Sequence, residues 1–533
     1  MAADKPRMRA ERHFGDRVVT CFADRPANVH AMLTEAVATR PAHEAVVFED
    51  IRLTYRDFDA EVGRLAGGLR ANGIGKGDRV ALLLGNGIPF VAMTYAIARI
   101  GAIMVPLSIR DQMPGILHAL TDSGAAVLVA EAGFTGIVPP ADETPHLKVR
   151  VSVGAADGFT DFENLRGADP VTEAVALGED EIAAILYTSG TTGRPKGATL
   201  TGLGIVHSAT TYTHAMGLGP DDRTIVVVPM SHVTGLVAGI HTAIRAGGTI
   251  VIQRAFDVFA FLDLAARERM SFTILVPAMY NLCLHRADLS DYDLSAWRVG
   301  AYGGAPMPEP TISKLAEDLP QLGLMNCYGA TETTSPVTIM PPAFTASHRL
   351  SVGRPVPGAE ILVMDETGRE VPAGEPGELW HRGPMVAPGY WRNPEATSKE
   401  FVNGFWKSGD FGSRDSDGFV YVHDRKKDMI NRGGYKIYTA QVESVLLAYP
   451  GIGEAAVIAK PCPILGERVH AVVSLADGAR IDEAALAAHC AAELADYQRP
   501  ESFTFLTEPL PRNANGKIIK RHIREELGFV SAC

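Results

Sequence analysis

Short apolar runs of the kind found in buried strands alternate with helix-like segments through the first half of the chain. The runs are DRVALLLG, AAVLVAE, IAAILYT, RTIVVVP, GTIVIQ, FTILVP and WRVGAYGG. Segments such as residues 62–71 and 259–270 lie between them and carry apolar residues at helical spacing. Because a continuous apolar run fits a strand that is covered on both faces, this alternation predicts an α/β fold built on stacked, mostly parallel sheets with helices.

The length of the chain and changes in its texture predict more than one domain. With 533 residues, the chain exceeds the size that one hydrophobic core usually serves. Short alternating strands and frequent turn residues begin near residue 353, and later strand and helix signals predict a separate α+β domain. The predicted organisation is a loosely ordered extension over 1–25, an N-terminal domain over 26–424 with a small β subdomain within 353–424, and a small mobile C-terminal domain over 425–533.

Charge and cysteine content exclude several classes of protein. The formal net charge is −12, whereas a nucleic-acid-binding protein would need a basic surface. The six cysteines are scattered and form no CxxC pair, which predicts a reduced compartment, no disulfide framework and no structural zinc.

No targeting or membrane-spanning segment is evident in the sequence. The first residues are polar and lack the apolar core of a signal peptide. The most apolar stretch, residues 79–107, is interrupted by Asn86, Pro89 and Arg99, so it predicts a buried strand and a core helix. We therefore expect a cytoplasmic protein with no membrane span.

The stretch YTSGTTGRPKGATLT, residues 187–201, follows a buried strand and concentrates glycine, hydroxyl side chains and one lysine. Backbone N–H groups, hydroxyls and a cation together suit a phosphate, and glycine lets the backbone approach it closely. The spacing differs from the nucleoside-triphosphatase P-loop, G-x-x-x-x-G-K-[ST]. By itself the stretch is either a phosphate-binding loop or an ordinary surface turn.

Further motifs follow in a fixed order: PMSHVTG, YGGAP, NCYGATETT, KSGDFG, DRKKDMINRGG and PRNANGKIIKR. Together with the first loop they resemble the signature of the acyl-adenylate-forming (AMP-binding) superfamily, which includes acyl-CoA ligases, peptide-synthetase adenylation domains and luciferases. The resemblance covers roughly residues 30–525. It implies an acid:CoA ligase that activates a carboxylic acid with ATP to an acyl-AMP, releases pyrophosphate, and then transfers the acyl group to CoA with release of AMP.

The resemblance also implies how ATP and Mg²⁺ are held. Glu332 would bind Mg²⁺, since a hard oxygen donor suits a metal shared with phosphates. Thr331 would contact the α-phosphate, Tyr328 and Gly304 would enclose adenine, and Asp410 and Arg425 would contact the ribose. The complete set of implied ATP- and AMP-binding residues is Thr188, Ser189, Gly190, Thr191, Thr192, Gly193, Lys196, Gly304, Ala305, Pro306, Asn326, Tyr328, Gly329, Asp410 and Arg425.

Lys517 resembles the lysine that bridges the acyl carboxylate and the α-phosphate, and the implied catalytic set is Lys517, Thr331, Glu332 and His232. Lys427 lies at the family's hinge position, and Gly433 and Gly434 match the loop that admits the thiol of CoA. The implied acyl pocket consists of His232, Thr234, Tyr302, Gly303, Cys327 and Thr333.

The residues of the implied acyl pocket indicate which class of carboxylic acid is the substrate. PMSHVTG contains no acidic residue to pair with the ammonium of an α-amino acid. None of the pocket residues is a lysine or arginine that would pair with a second carboxylate. We therefore expect a fatty or aryl monocarboxylic acid, with ATP, Mg²⁺ and CoA as the other participants. No nucleic-acid partner is expected, and a homodimer is left open.

Three alternatives stay open from the sequence. In the first alternative, the acyl group is transferred to the phosphopantetheine of a carrier protein instead of CoA. The second is a catalytically degenerate nucleotide-binding relative, against which Lys196, Glu332, Asp410, Arg425 and Lys517 argue. The third is a phosphotransferase, which would form ADP instead of AMP and pyrophosphate.

Overall fold

A computed structural model describes residues 6–188, 194–433, 435–476, 478–512 and 518–529. The chain divides into two compact units. The first contains Met1–Pro306, Ser313–Ile361 and His381–Lys407, and the second contains Met307–Ile312, Leu362–Trp380 and Ser408–Cys533. The predicted domain boundary at residues 424 and 425 stays a prediction.

The first unit contains a seven-stranded sheet that carries the predicted phosphate loop at one edge. Strands Lys196–Thr201 and Ile182–Thr188, at the edge that carries the loop, pair antiparallel, and all other neighbouring strands of this sheet pair in parallel. In order, the strands are Lys196–Thr201, Ile182–Thr188, Ile103–Pro106, Arg79–Leu83, Val127–Glu131, Val149–Val153 and Thr160–Asp161. Residues on both faces are buried, including Val80, Ala81, Leu82 and Leu83, as their continuous apolar sequence predicts.

A nine-stranded sheet in the same unit carries the other motifs. Its central strands are parallel and its edges antiparallel. In order, the strands are Arg354–Pro355, Ser335–Ile339, Gly323–Ala330, Val299–Tyr302, Phe272–Leu275, Arg223–Val226, Thr249–Ile252, Glu44–Phe48 and Ile51–Thr54. The predicted α/β fold with mostly parallel sheets is confirmed.

Both units contain helices. The α-helices of the described chain are Val29–Thr39, Tyr55–Ala71, Ile88–Arg99, Met113–Ser123, Glu163–Arg166, Gly202–Ala215, Thr242–Ala246, Val258–Arg267, Pro277–Arg286, Glu309–Asp318, Pro394–Glu400, Thr439–Leu447, Glu483–Glu493 and Lys520–Glu526. Thr234–His241 is a π-helix, and 3₁₀ turns occupy Ala132–Ile137, Ala141–Glu143, Leu289–Asp291, Thr331–Thr333 and Pro342–Phe344.

The expectation that residues 1–25 are loosely ordered is wrong for most of that segment. Met8–His13 and Arg17–Phe22 pair as an antiparallel hairpin. Cys21 and Phe22 are buried, and Arg25 donates to Glu11 and to Glu179 at 2.8 and 2.6 Å. Apolar burial and a shared guanidinium therefore attach the hairpin to the segment that leads into strand Ile182–Thr188.

The second unit is built on its own five-stranded sheet. Its strands are Tyr435–Ile437, Ile430–Arg432, Gly466–Leu475 and Ile452–Cys462 in order, with Ser502–Leu506 paired to Gly466–Leu475. Ile430, Val457, Val473 and Leu486 form part of its core. The separate core agrees with the strand and helix signals in this part of the sequence.

Short strands also occupy the range of the predicted β subdomain. They are Glu360–Met364, Gly377–Arg382, Phe401–Val402, Phe405–Arg414 and Val420–Arg425.

The apolar stretch at residues 79–107 contains strand Arg79–Leu83, helix Ile88–Arg99 and strand Ile103–Pro106. Among the described residues, no helix combines the length and apolar character needed to cross a membrane.

Candidate active site

Thr188 and Lys196 flank the predicted phosphate loop and lie opposite each other. Strand Ile182–Thr188 runs antiparallel to strand Lys196–Thr201, and Thr188 pairs in register with Lys196. The hydroxyl of Thr188 is partly buried and Lys196 is buried. Ser189, Gly190, Thr191, Thr192 and Gly193 lie outside the described residues. The two ends of the loop are therefore fixed side by side at the edge of the sheet.

Glu332 lies in a 3₁₀ turn immediately after strand Gly323–Ala330, as does Thr331. Its side chain is buried, Oε1 accepts a hydrogen bond from the hydroxyl of Thr188 at 3.3 Å, and the same oxygen lies 3.0 Å from the hydroxyl oxygen of Tyr390. Burial raises the pKa of the Glu332 carboxyl. Two motifs that are far apart in the sequence thus meet through Thr188 and the buried side chain of Glu332.

Tyr390 and Glu400 complete this cluster, and the sequence did not single them out. Lys196 forms an ion pair with Glu400, and its Nζ lies 4.4 Å from the centroid of the Tyr390 ring. The hydroxyl of Tyr390 donates to Oε2 of Glu400 at 2.6 Å. Burial and the neighbouring carboxylates raise the pKa of Tyr390. One local sequence signal lies nearby: Asn393 caps helix Pro394–Glu400 and so marks the start of the helix that carries Glu400.

The predicted adenine segment lies at the ends of two adjacent parallel strands. Tyr302 at the end of Val299–Tyr302 pairs in register with Asn326, and Gly303, Gly304, Ala305 and Pro306 follow Tyr302. The Tyr328 hydroxyl lies 3.2 Å from Nε2 of His381. Gly329 is tightly enclosed, since a Cβ there would lie 1.7 Å from the carbonyl oxygen of Ser335.

The predicted acyl-pocket residues include no lysine, arginine or acidic side chain, and three of the six are buried. Tyr302, Cys327 and Thr333 are buried, and His232 and Thr234 are partly buried, with 3.3 Å between Nδ1 of His232 and Oγ1 of Thr234. Burial raises the pKa of the Cys327 thiol. Cys327 is therefore a protonated, apolar group at neutral pH.

Thr333 also has a structural role that the sequence did not predict. Its hydroxyl accepts the N–H of Ala330 and donates to the carbonyl of Ser335, each at 2.8 Å. The next two residues have positive φ values, +49° at Thr334 and +90° at Ser335. The hydroxyls of Tyr212 and Ser335 lie 2.8 Å apart. These contacts hold a strained turn directly after Glu332.

The second unit contains the predicted ribose and hinge residues. Asp410 pairs in register with Arg425, and Nε of Arg425 lies 3.2 Å from Oδ1 of Asp410. Asp410 is buried, and Arg425 and Lys427 are exposed. Gly433 has a φ of +58° and donates its N–H to the carbonyl of Leu465 at 2.8 Å. Gly434 and Lys517 lie outside the described residues.

The family of enzymes to which this fold belongs follows from comparison with known proteins. The family model of the AMP-binding enzyme matches residues 33–391, and that of the AMP-binding enzyme C-terminal domain matches residues 441–517. The chain belongs to the AMP-binding enzyme family.

Named relatives give the class of reaction within that family. The feruloyl-CoA synthase of an Amycolatopsis species is 37% identical over 92% of this chain and 96% of its own. The long-chain-fatty-acid–CoA ligase FadD13 of Mycobacterium tuberculosis is 34% identical over 94% of this chain and 98% of its own. These comparisons confirm the predicted enzyme class, an AMP-forming acyl-CoA ligase.

A solved structure agrees over nearly the full length. The o-succinylbenzoate CoA synthetase MenE of Bacillus subtilis, in complex with its acyl-adenylate intermediate, has a TM-score of 0.84 and 29% identity over 92% of this chain and 97% of that chain. The same synthetase has been solved in complex with ATP and a magnesium ion.

Proposed function

We propose that this ligase activates a fatty or aryl monocarboxylic acid and transfers its acyl group to CoA. The observation that carries the proposal is the contact of Thr188, at the start of the glycine-rich loop, with the buried carboxylate of Glu332 at 3.3 Å. A phosphate loop beside a buried carboxylate is suited to hold a metal-bound polyphosphate. Lys196 adds a cation to this cluster, because its ammonium group lies against the ring of Tyr390, whose hydroxyl contacts Glu332.

The donor atoms at Glu332 fit Mg²⁺. Oε1 of Glu332 is a buried carboxylate oxygen beside the hydroxyl of Thr188, and Mg²⁺ prefers such hard oxygen ligands. When bound, Mg²⁺ would neutralise charge on the phosphates. Glu332 would hold it, and Thr188 and Lys196 would bind the phosphate oxygens.

The first half-reaction joins the acid to AMP. An oxygen of the substrate carboxylate attacks the α-phosphorus of ATP, the bond from that phosphorus to the bridging oxygen breaks, and pyrophosphate leaves. We propose that Thr331 and Lys517 bind the α-phosphate, that Lys517 also binds the carboxylate, and that Asp410 and Arg425 hold the ribose. In this proposal Tyr328, Asn326 and residues 304–306 enclose the adenine.

The second half-reaction releases AMP. The thiolate of CoA attacks the acyl carbonyl carbon, and AMP leaves with the electron pair of the broken bond. We propose that Gly433 and Gly434 admit the pantetheine arm, that the C-terminal domain turns about Lys427 between the two steps, and that residues 425–533 move as this domain.

The acid class is inferred from the predicted acyl pocket, which contains no lysine or arginine. Tyr302, Cys327 and Thr333 bring no cation to a buried surface, so a second carboxylate would be buried without a partner, at a substantial free-energy cost. The names of the two relatives, a feruloyl-CoA synthase and a long-chain-fatty-acid–CoA ligase, also support an aryl or fatty acid.

The test is acid-dependent release of pyrophosphate across fatty, aryl and dicarboxylic acids, with CoA or a phosphopantetheinylated carrier protein as acceptor. We expect release with at least one monocarboxylic acid and thioester formation with CoA. Release restricted to a dicarboxylic acid would contradict the proposed acid class. Thioester formation on the carrier protein alone would contradict the proposed acceptor.

A further inference from the structure

Glu400 forms an ion pair with Lys196, the cation at the end of the predicted phosphate loop. Its Oε1 pairs with the ammonium of Lys196, while its Oε2 accepts the hydroxyl proton of Tyr390 at 2.6 Å. The side chains of Lys196 and Glu400 are only 9% and 25% exposed. A carboxylate fixed at both oxygens and largely shielded from water is a strong, pre-positioned partner for a lysine.

We propose that Glu400 is a displaceable partner of Lys196 that weakens the binding of ATP phosphates and of pyrophosphate. This inference rests on the proposed function, in which Lys196 binds those phosphates. A phosphate that reaches Lys196 must share the ammonium with Glu400 or replace it there. The free energy of the Lys196–Glu400 pair is therefore subtracted from the free energy of phosphate binding.

The surroundings keep Lys196 in place while the partner changes. The face of the Tyr390 ring lies 4.4 Å from Nζ, so the ammonium retains a cation–π contact when Glu400 is displaced. The hydroxyl oxygen of Tyr390 also lies 3.0 Å from Oε1 of Glu332, so the same side chain contacts a second carboxyl group. Lys196 can exchange a carboxylate for a phosphate with little rearrangement of its stem.

The exchange has a use in the reaction. Pyrophosphate must leave after the acid has been adenylated, and a lysine with no competing partner would retain it. Glu400 recombines with Lys196 as pyrophosphate departs, so it acts on product release as well as on ATP binding.

The direct test is Glu400→Gln, which keeps the size of the side chain and an oxygen for the Tyr390 hydroxyl. Binding of α,β-methylene-ATP with Mg²⁺ is measured by calorimetry, since this analogue cannot transfer its AMP group to an acid. We expect its Kd, and the inhibition constant of pyrophosphate, to fall about tenfold, the size expected for one charge-assisted hydrogen bond. Unchanged or weaker binding would overturn the proposal.

Glu395→Gln is the matched control, because Glu395 lies in the first turn of the same helix and is exposed. Its Kd for the analogue should equal that of the native protein. An equal gain in this variant would mean that net charge, and not the Lys196 pair, sets the affinity, and would also overturn the proposal.

A double-mutant cycle with Lys196→Met separates the pair from general repulsion. In the Lys196→Met background, Glu400→Gln should leave the Kd unchanged. If the tenfold gain persists there, Glu400 acts directly on the phosphates and the proposed exchange is wrong. Because the readout is binding of an unreactive analogue, it reports on Glu400 even if no acid in the panel releases pyrophosphate, the result that would contradict the proposed function.

Discussion

The ammonium nitrogen of Lys520 lies 2.7 Å from Oε1 of Glu443, and these side chains are only 17% and 18% exposed. Lys520 also donates to the hydroxyl of Thr439 at 2.6 Å, and that hydroxyl donates to Asp424 at 2.7 Å. Asp424 directly precedes Arg425 in strand Val420–Arg425. This network ties the start of helix Lys520–Glu526 to the strand that carries the predicted ribose contact.

Removing the cation from this network should destabilise the protein. Lys520→Met leaves Glu443 and Asp424 close together without their lysine, and we expect a loss of about 3 kcal/mol in the free energy of unfolding, measured with urea. Adding Glu443→Gln should recover part of it, because one uncompensated charge is removed. Lys436→Met, at an exposed ion pair with Glu366, serves as the control and should cost under about 1 kcal/mol. A loss no greater than in this control would contradict the prediction.

Lys517→Ala should separate the two half-reactions. In the proposed mechanism the variant loses one charge partner of the α-phosphate, so acid-dependent pyrophosphate release should fall by about 10²–10³-fold. Thioester formation from preformed acyl-adenylate and CoA should fall much less, as stopped-flow measurements of each step would show. An equal fall in both steps would argue against the proposed role of Lys517.

Ser335 offers a test of backbone strain beside the active site. Ser335→Gly and Ser335→Ala both remove the hydroxyl that lies 2.8 Å from the Tyr212 hydroxyl, but only glycine adopts a φ of +90° without strain. We expect the alanine variant to be less stable than the glycine variant by about 1 kcal/mol in thermal unfolding. Equal stability would mean that the turn relaxes without cost. Tyr212→Phe isolates the hydrogen bond and should cost about 1 kcal/mol.

The N-terminal hairpin should weaken in acid. Hydrogen bonds from Arg25 lower the pKa of Glu11 from 4.5 to about 2, against the opposing effect of burial. A carboxyl whose folded pKa is lowered stabilises the fold above its unfolded pKa, and this contribution disappears as the pH falls through the folded value.

The stability difference between the native protein and Glu11→Gln should therefore be about 2 kcal/mol at neutral pH and shrink between pH 4.5 and about 2. Denaturant unfolding at several pH values measures it. Glu173→Gln changes an exposed carboxylate and should show no such pH dependence. A difference that stays constant down to pH 2 would contradict the assignment of Glu11.

The buried strands could be predicted from the sequence because each strand carries its own signal, a continuous apolar run. Runs such as DRVALLLG have no polar face, which only a strand covered on both sides accepts. The N-terminal hairpin was missed because its stability depends on distant partners, among them Glu179. Short polar strands carry little signal of their own.

The candidate site was predicted as far as its motifs reach. The resemblance pointed to Thr188, Lys196 and Glu332, and the structure brings their side chains into one cluster. Glu400 lies 204 residues from Lys196 in the chain, and a glutamate at the end of a short helix carries no pattern that indicates its partner. Such pairings depend on tertiary packing, which periodicity and composition do not encode.

The register of Thr188 opposite Lys196 affects how the loop between them tolerates changes in length. Since the two ends are paired within a sheet, an insertion between them lengthens a hairpin connection whose closure costs only slightly more entropy with each added residue. A glycine-rich turn that leads straight into a helix lacks this freedom, because every added residue would rotate the helix that follows. Loops of different length could therefore be transplanted onto this strand pair while the threonine and the lysine keep their separation.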